Sequence, residues 1–268
     1  MCSAPKCFTC PVLSSSDPTS PGMGQASKHE NVEPVFNTSL QTSSPLRDHM
    51  DRSGYALVDR VLEGDECESL LREFEPLSTT ITRRRAGVRD LFSRSRVARR
   101  LARDPRIRAI VEDILSPDAF AVRAILFDKT TEANWQVAWH QDRTIAVDRR
   151  AVIEGFGPWS TKANITHVQP PAVILERMVS LRLHLDSCSE RKGALRVIAG
   201  SHRSGITSNP PTARAAHCCV VPRGGAVVMR PLIWHASSKA SETGHRRVVH
   251  IEFTDAALPE PLDWRERW

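Results

Sequence analysis

Apolar and polar positions follow a helical spacing in the first part of the chain and a strand-like spacing after residue 119. GYALVDRVL predicts a strand, and GDECESLLREFEPL predicts a helix with Leu70, Leu71 and Phe74 on one face. The apolar pattern from Arg94 to Leu115 then predicts one or two helices, with a break at Asp104-Pro105. The first part of the ordered chain is therefore expected to be helical support rather than sheet.

Short β-branched runs separated by Gly and Pro turns dominate the rest of the sequence. These runs are FAVRAILF, WQVAWHQD, RTIAV, VSLRLHL, ALRVIAGS, CCVVP, GAVVMR and RRVVHIEF. Many short strands with such turns are typical of an antiparallel sandwich or barrel. The pattern predicts a mainly β protein preceded by N-terminal helices.

The first 46 residues differ in composition from everything that follows. Ser, Thr, Pro and Gly supply 21 of these 46 residues, without apolar periodicity. Such a segment buries too little apolar surface to offset the entropy of ordering it. We expect residues 1–46 to be a disordered leader and residues 47–268 to form a single domain.

Composition and charge narrow the class of protein further. The chain is 40% hydrophobic and 25% charged, with a net charge of +6, which is the usual mix of a globular protein. It has no apolar run of 18 residues and no secretory signal, so we expect no membrane contact and a cytoplasmic location. Seven cysteines without a secretory signal do not favour a disulfide scaffold.

The positive charge is concentrated between Arg83 and Arg108. This segment has eleven arginines and only two acidic residues. A solvated helix face explains most of them, and nucleic-acid binding is not favoured because Phe92 is the only aromatic residue among them. The first four arginines, at positions 83, 84, 85 and 89, precede the predicted helix and are candidates to meet an anionic group of a small-molecule substrate, with Arg85 taken as their representative.

The residues that carry chemistry are in the strand ending Trp139-His140-Gln141-Asp142. Residues two apart in a strand face the same side, so His140 and Asp142 can reach one metal ion. A third ligand must come from elsewhere, and His235 in RPLIWHASS is the best candidate. Two histidines and one carboxylate form the facial triad of non-haem iron(II) oxygenases, which leaves open positions on the metal.

An arginine and a serine near His235 extend this prediction. Arg246 follows the histidine by eleven residues and opens the strand RRVVHIEF. A bidentate guanidinium there could bind the distal carboxylate of 2-oxoglutarate, and the Ser237 hydroxyl could add a hydrogen bond. Arg247 is the competitor for this role, but strand alternation would turn it away.

These motifs, taken in order, resemble the phytanoyl-CoA dioxygenase family. The resemblance rests on GYALVDRVLEGDECESLL, His-Gln-Asp, GALRVIAGSHRSG, the distant histidine in His-Ala-Ser-Ser and the arginine eleven residues later, and it covers roughly residues 50–255. It implies a double-stranded β-helix, a cupin-like jelly roll. It also implies His140, Asp142 and His235 as Fe(2+) ligands, with 2-oxoglutarate and O2 as co-substrates and Arg246 as the co-substrate clamp.

The resemblance has further consequences for individual residues. Arg182 falls where family members often have an aromatic residue beside 2-oxoglutarate, so we expect it to bind the same oxoacid as a cation. Arg123 is a further candidate to point inward. Related halogenases replace the carboxylate with a small residue, so Asp142 favours hydroxylation or other oxidation over halogenation.

The implied reaction is hydroxylation of a small molecule with release of succinate and CO2. A desaturase, an epimerase or a ring-forming oxidase would use the same site, as in secondary metabolism. A different class is a non-catalytic β-barrel binding module with an Arg-rich helix for polyanions. Neither the substrate, acyl-CoA or otherwise, nor the oligomeric state follows from the sequence.

Residues 149–177 form a longer connection than a barrel turn needs. The segment contains Gly155, Gly157 and a Pro170-Pro171 pair. Long ordered loops are commonly lids or binding loops, so we expect a substrate lid with Trp159 and His167 in contact with the substrate. The alternative is a packing insertion that covers the edge of the barrel.

Overall fold

The computed structural model describes residues 44–81, 87–212 and 216–268. The helices within these residues are α1 (Pro45–Ser53), α2 (Gly64–Ser78), α3 (Leu91–Arg94), α4 (Arg96–Ala102), α5 (Pro105–Ile114) and α6 (Ala172–Glu176). The strands are β1 (Tyr55–Val58), β2 (Gly87–Val88), β3 (Phe120–Lys129), β4 (Val137–His140), β5 (Ile145–Val147), β6 (Trp159–Lys162), β7 (Ile165–Val168), β8 (Met178–His184), β9 (Leu195–Ile198), β10 (Ala216–Cys219), β11 (Ala226–Met229), β12 (His235–Ser237) and β13 (Arg246–Thr254).

The strands pair into antiparallel sheets, as the short alternating runs predict. The larger sheet has the order β1-β11-β8-β13-β3-β2, and the smaller has the order β10-β9-β12-β4. A third sheet, β5-β7-β6, is built largely from the long connection. The described chain is mainly β with helices before the barrel strands, so the predicted jelly-roll fold class is confirmed.

The helices cover the outer face of the larger sheet. One apolar cluster joins Leu70 and Phe74 of α2 and Ile107 of α5 to Val249 and Phe253 of β13. Helices α4 and α5 are separated at Asp104, whose carboxylate accepts the Arg106 N–H at the start of α5. This arrangement confirms the predicted break, because an Asp-Pro pair ends one helix and caps the next.

Helix α1 is an element that the pattern did not predict. It begins at Pro45, inside the predicted leader, and its cap residue Ser44 accepts the Arg47 N–H at 3.1 Å. The Arg47 guanidinium donates to the Asp113 main-chain oxygen at 2.7 Å, which ties α1 to the end of α5. The predicted leader up to residue 43 lies outside the described residues.

Acidic neighbours balance much of the arginine-rich segment. Arg100 pairs with Glu73 at 3.0 Å, and Arg106 pairs with Glu66 and Asp104 at 2.8 Å each. Exposed ion pairs of this kind contribute little stability. They do agree with the expected solvated helix face. No helix in the described part of the chain is long and apolar enough to cross a membrane.

Residues 149–177 contain a hairpin of β6 and β7, followed by α6. The hairpin turn is Ala163-Asn164, and both residues have positive φ, at 51° and 61°, as a two-residue turn of this hand requires. Strand β7 pairs with β5, and Val168 packs in a second apolar cluster with Leu175 and Trp264. The segment is therefore an ordered part of the domain with its own packing.

We expect Val249→Ala to lower the free energy of unfolding by about 2 kcal/mol, because two buried methyl groups are lost and a cavity remains. Val249 is 0% exposed on β13 and belongs to the cluster under the helices. The matched control is Val152→Ala, since the Val152 side chain is fully exposed to solvent. Urea unfolding curves measure both changes, and equal effects at the two sites would contradict this packing.

Candidate active site

Three side chains that the sequence singled out meet at one end of a cavity between the sheets. One ligand atom from each of His140, Asp142 and His235 lies within 4.8 Å of the others. Nε2 of His140 is 3.7 Å from one Asp142 carboxylate oxygen, and Nε2 of His235 is 3.7 Å from the other. A single ion placed among them would be bound by two imidazoles and one carboxylate.

Antiparallel strand pairing brings the two histidines together. His140 ends β4 and is the register partner of His235, which opens β12. Their ring centroids are 4.1 Å apart. Asp142 follows β4 directly, and its main-chain N–H donates to the Pro231 oxygen at 2.9 Å, which holds the carboxylate beside both rings.

Each histidine is held in the tautomer that a metal ion requires. Nδ1 of His140 lies 2.9 Å from the Ala138 main-chain oxygen, and Nδ1 of His235 lies 2.9 Å from the Ile233 oxygen. Since a carbonyl only accepts, both Nδ1 atoms carry the proton, and the Nε2 lone pairs face Asp142. A metal-bound histidine commonly donates its other ring N–H in this way.

Electrostatics keep the acid and the buried base in their metal-binding forms. Burial by itself would raise the pKa of Asp142, but His235, His250, His140 and Arg123 outweigh it and hold that pKa below its usual range. Burial lowers the pKa of His235 to about 4, although Asp142 opposes the shift. A carboxylate and a neutral imidazole are the forms that bind metal ions.

Gln141 fixes the metal-binding strand from its opposite face. Its side-chain nitrogen donates to the main-chain oxygens of Leu232 at 2.7 Å and Gly205 at 2.8 Å. Its side-chain oxygen accepts the Thr207 N–H at 3.1 Å. Gln141, which lies between His140 and Asp142, therefore connects these two residues to the segment that precedes His235.

The cavity has a volume of about 370 Å³, and cations line much of it. The full set of lining residues is Arg89, Arg123, Ile125, Phe127, Trp135, Val137, His140, Asp142, Thr144, Lys162, Arg182, Leu195, His235, Ala236, Ser237, Arg246 and His250. This size suits a co-substrate and part of a small substrate.

Arg246 and Arg247 lie on opposite faces of β13, as strand alternation predicts. Arg246 is buried and lines the cavity, with Nη1 donating to the Gly193 main-chain oxygen. Arg247 does not line the cavity, and its guanidinium donates to both Asp186 carboxylate oxygens at 2.8 and 2.9 Å. Arg246 is therefore the arginine of the pair that faces the metal-binding residues.

Three buried guanidinium nitrogens in the cavity have no hydrogen-bond partner in the described chain. These are Nε of Arg246, Nε of Arg182 and Nε of Arg123, whose guanidinium pairs with Glu252 through another nitrogen. Burial lowers the pKa of Arg182 to about 10, with Arg246 adding to the shift. Buried donors are rarely left unpaired, so this end of the cavity fits a bound carboxylate.

A chain of hydrogen bonds connects Arg182 to Arg123 across the inner face of the larger sheet. Arg182 Nη1 donates to Nδ1 of His250 at 3.1 Å, and Nε2 of His250 donates to Glu252 at 3.1 Å. Glu252 also accepts from Arg123. Both predicted inward arginines thus line the cavity, and Glu252 neutralises Arg123.

Lys129 is a buried cation that the sequence reasoning missed. Its Nζ donates to the Ser238 main-chain oxygen at 2.7 Å and to Ser237 Oγ at 3.4 Å. Burial, assisted by Arg246, lowers its pKa to about 7. Residues 123, 125, 127 and 129 share one face of β3, so strand alternation from Arg123 could have identified it.

Trp159 and His167, the residues predicted to contact the substrate, lie away from the cavity wall. His167 is buried, with Nδ1 donating to the Ile165 oxygen at 3.0 Å, and Trp159 packs beneath Arg150. Neither lines the cavity, whose wall on this hairpin is Lys162. A direct contact of Trp159 or His167 with the substrate stays a prediction, and Arg85 lies outside the described residues.

Solved structures share this fold at low sequence identity. The epimerase SnoN from nogalamycin biosynthesis, described as non-haem and alpha-ketoglutarate-dependent, has a TM-score of 0.60 and 18% identity, over 79% of this chain and 82% of that chain. HygX from Streptomyces hygroscopicus, solved with iron bound, has a TM-score of 0.56 and 18% identity, over 79% and 86%. The carbocyclase SnoK, also from nogalamycin biosynthesis, has a TM-score of 0.61 and 13% identity, over 84% and 87%.

The sequence itself matches one protein family. No curated protein matches significantly, but the family profile described as phytanoyl-CoA dioxygenase matches residues 50–248. Enzymes of this family use iron(II), 2-oxoglutarate and O2, and the paired histidines, the carboxylate and the unpaired arginine nitrogens fit such cofactors. The match extends over most of the chain and includes each of these residues, so the chain belongs to the phytanoyl-CoA dioxygenase family of non-haem iron, 2-oxoglutarate-dependent oxidative enzymes.

Proposed function

We propose that this enzyme hydroxylates a small molecule, with iron held by His140, Asp142 and His235. The observation that carries the proposal is the convergence of their three ligand atoms within 4.8 Å. Bound iron(II) and 2-oxoglutarate would supply the oxidising chemistry, with succinate and CO2 released. The chain itself presents two imidazoles and one carboxylate from a single sheet edge, and it leaves the cavity side of that triad open.

We assign the distal carboxylate of 2-oxoglutarate to Arg246. The unpaired Nε of this buried arginine can donate to a carboxylate oxygen, and the Ser237 hydroxyl lines the same cavity. Arg182 adds a second buried cation beside Arg246. Charge-assisted hydrogen bonds in a buried site are strong and directional, so they would orient the oxoacid toward the metal.

Other oxidative outcomes at the same site remain candidates. SnoN is described as an epimerase and SnoK as a carbocyclase, both from nogalamycin biosynthesis. Their shared fold supports a secondary metabolite as substrate and keeps epimerisation and ring closure beside hydroxylation. Which bond is formed after hydrogen abstraction depends on how the substrate lies in the cavity.

We expect His140→Ala and Asp142→Ala each to reduce bound iron(II) from one per chain to near zero and to abolish succinate release. Either change leaves only two ligands for the ion. Anaerobic iron titration and a succinate assay measure the two effects. The control is His217→Ala on β10, whose ring contacts Tyr55 and lies outside the cavity. Full iron binding in either site variant would overturn the metal assignment.

We expect Arg246→Leu to raise the KM for 2-oxoglutarate by about 10- to 100-fold, because a buried charge-assisted hydrogen bond is lost. Arg247→Leu is the matched control, since its guanidinium pairs with Asp186 outside the cavity. Succinate release at varied 2-oxoglutarate measures both. A larger rise in KM for the Arg247 variant would reassign the clamp.

We expect a substrate identified by succinate release to gain one oxygen atom from O2. Mass spectrometry after turnover under 18O2 measures this gain directly. Loss of two hydrogens without label would indicate desaturation or ring closure, and an unchanged mass with a new stereoisomer would indicate epimerisation. Each of these two results would contradict hydroxylation while leaving the iron site in place.

A further inference from the structure

The cations of the cavity fall into two groups by the charges that act on them. Arg182 and Arg246 form the group assigned above to 2-oxoglutarate. Arg89, Arg123 and Lys162 form the second group. All three side chains line the one cavity, and the charges of Arg89 and Arg123 act on Lys162.

The second group contains more cations than the described chain neutralises. Arg123 pairs with Glu252 inside the barrel. Arg89 and Lys162 are exposed at the cavity and have no ion pair or hydrogen bond from their side chains to any described residue. Arg100 and Arg106, outside the cavity, differ in this respect, because each pairs with a glutamate.

Backbone structure positions both unpaired cations. Arg89 follows β2, which pairs with Leu126 and Phe127 of β3, and it precedes Asp90, whose φ of 60° starts α3. Lys162 ends β6 directly before the tight turn of its hairpin. Two elements far apart in sequence thus bring like charges to one opening.

Holding like charges together without a counterion is unfavourable. Partial desolvation at the cavity and the charge of Arg123 lower the pKa of both Arg89 and Lys162, although Glu252 and Asp142 oppose the shift. An oxyanion bound between them would relieve this repulsion and accept hydrogen bonds from a guanidinium and an ammonium group. The cavity volume of about 370 Å³ suits such a group on a small molecule rather than on a polymer.

We propose that the primary substrate carries a carboxylate or phosphate group that Arg89 and Lys162 bind at the opening of the cavity. This inference rests on the proposed function, because it assigns the other end of the cavity to 2-oxoglutarate. The metal-binding residues line the same cavity as both cation groups. The substrate is therefore held by its anionic end, with the bond to be oxidised directed inward.

The test uses the full chain loaded with Ni(II) and saturated with 2-oxoglutarate, so that the Arg246 end is filled and no turnover occurs. Inorganic phosphate and acetate are titrated separately by calorimetry. We expect Arg89→Gln and Lys162→Gln each to raise the Kd of the preferred anion by about tenfold. The matched controls are Arg96→Gln and Lys239→Gln, which remove exposed charges outside the cavity and should leave Kd unchanged.

A comparison of phosphate with acetate distinguishes the two anionic groups that the substrate could carry. Tighter, variant-sensitive binding of phosphate supports a phosphorylated substrate, and the same behaviour with acetate supports a carboxylic acid. Absence of binding by either anion, or an unchanged Kd in both cavity variants, would overturn the inference. Binding of nickel and 2-oxoglutarate is measured in the same samples, and its failure in the unsubstituted chain would instead count against the proposed function.

Discussion

The antiparallel pairing of β12 with β4 is the constraint on which the active site depends. It sets His235 opposite His140, although 94 residues separate them in sequence. A shift of one residue in this register would turn one imidazole to the other face of the sheet. Gln141 opposes such a shift, because its side-chain amide donates to Leu232, just before β12, and to Gly205.

The larger sheet shows how one strand serves both stability and chemistry. On β13, Val249, Ile251 and Phe253 face the helices and are fully buried among apolar side chains. The alternate positions, Arg246 and His250, face the cavity. Apolar and charged side chains alternate along β13 and so lie on opposite faces of the strand. Burial of the apolar face can therefore offset the cost of burying arginine on the other face.

Local patterns predicted the parts of this molecule that depend on spacing along the chain. The helix break at Asp104 and the opposite faces of Arg246 and Arg247 follow from capping and strand alternation. Lys162 could not be found this way, since its place at the cavity depends on how the β6–β7 hairpin packs on β5. Helix α1 was missed because the contacts that hold it are long-range, from Arg47 to the end of α5.

The Nδ1–H hydrogen bonds of the two metal-facing histidines determine which other residues can be substituted without affecting the histidine tautomers. Each metal-facing imidazole donates Nδ1–H to the main-chain oxygen two residues earlier in its own strand. No other side chain is needed to set the tautomer, so substitutions elsewhere in the cavity leave these two Nδ1–H hydrogen bonds intact. The backbone of this one sheet edge is therefore enough to orient both metal-facing histidines. The cavity wall from β6 can then change to accept a new substrate while both histidine tautomers stay the same.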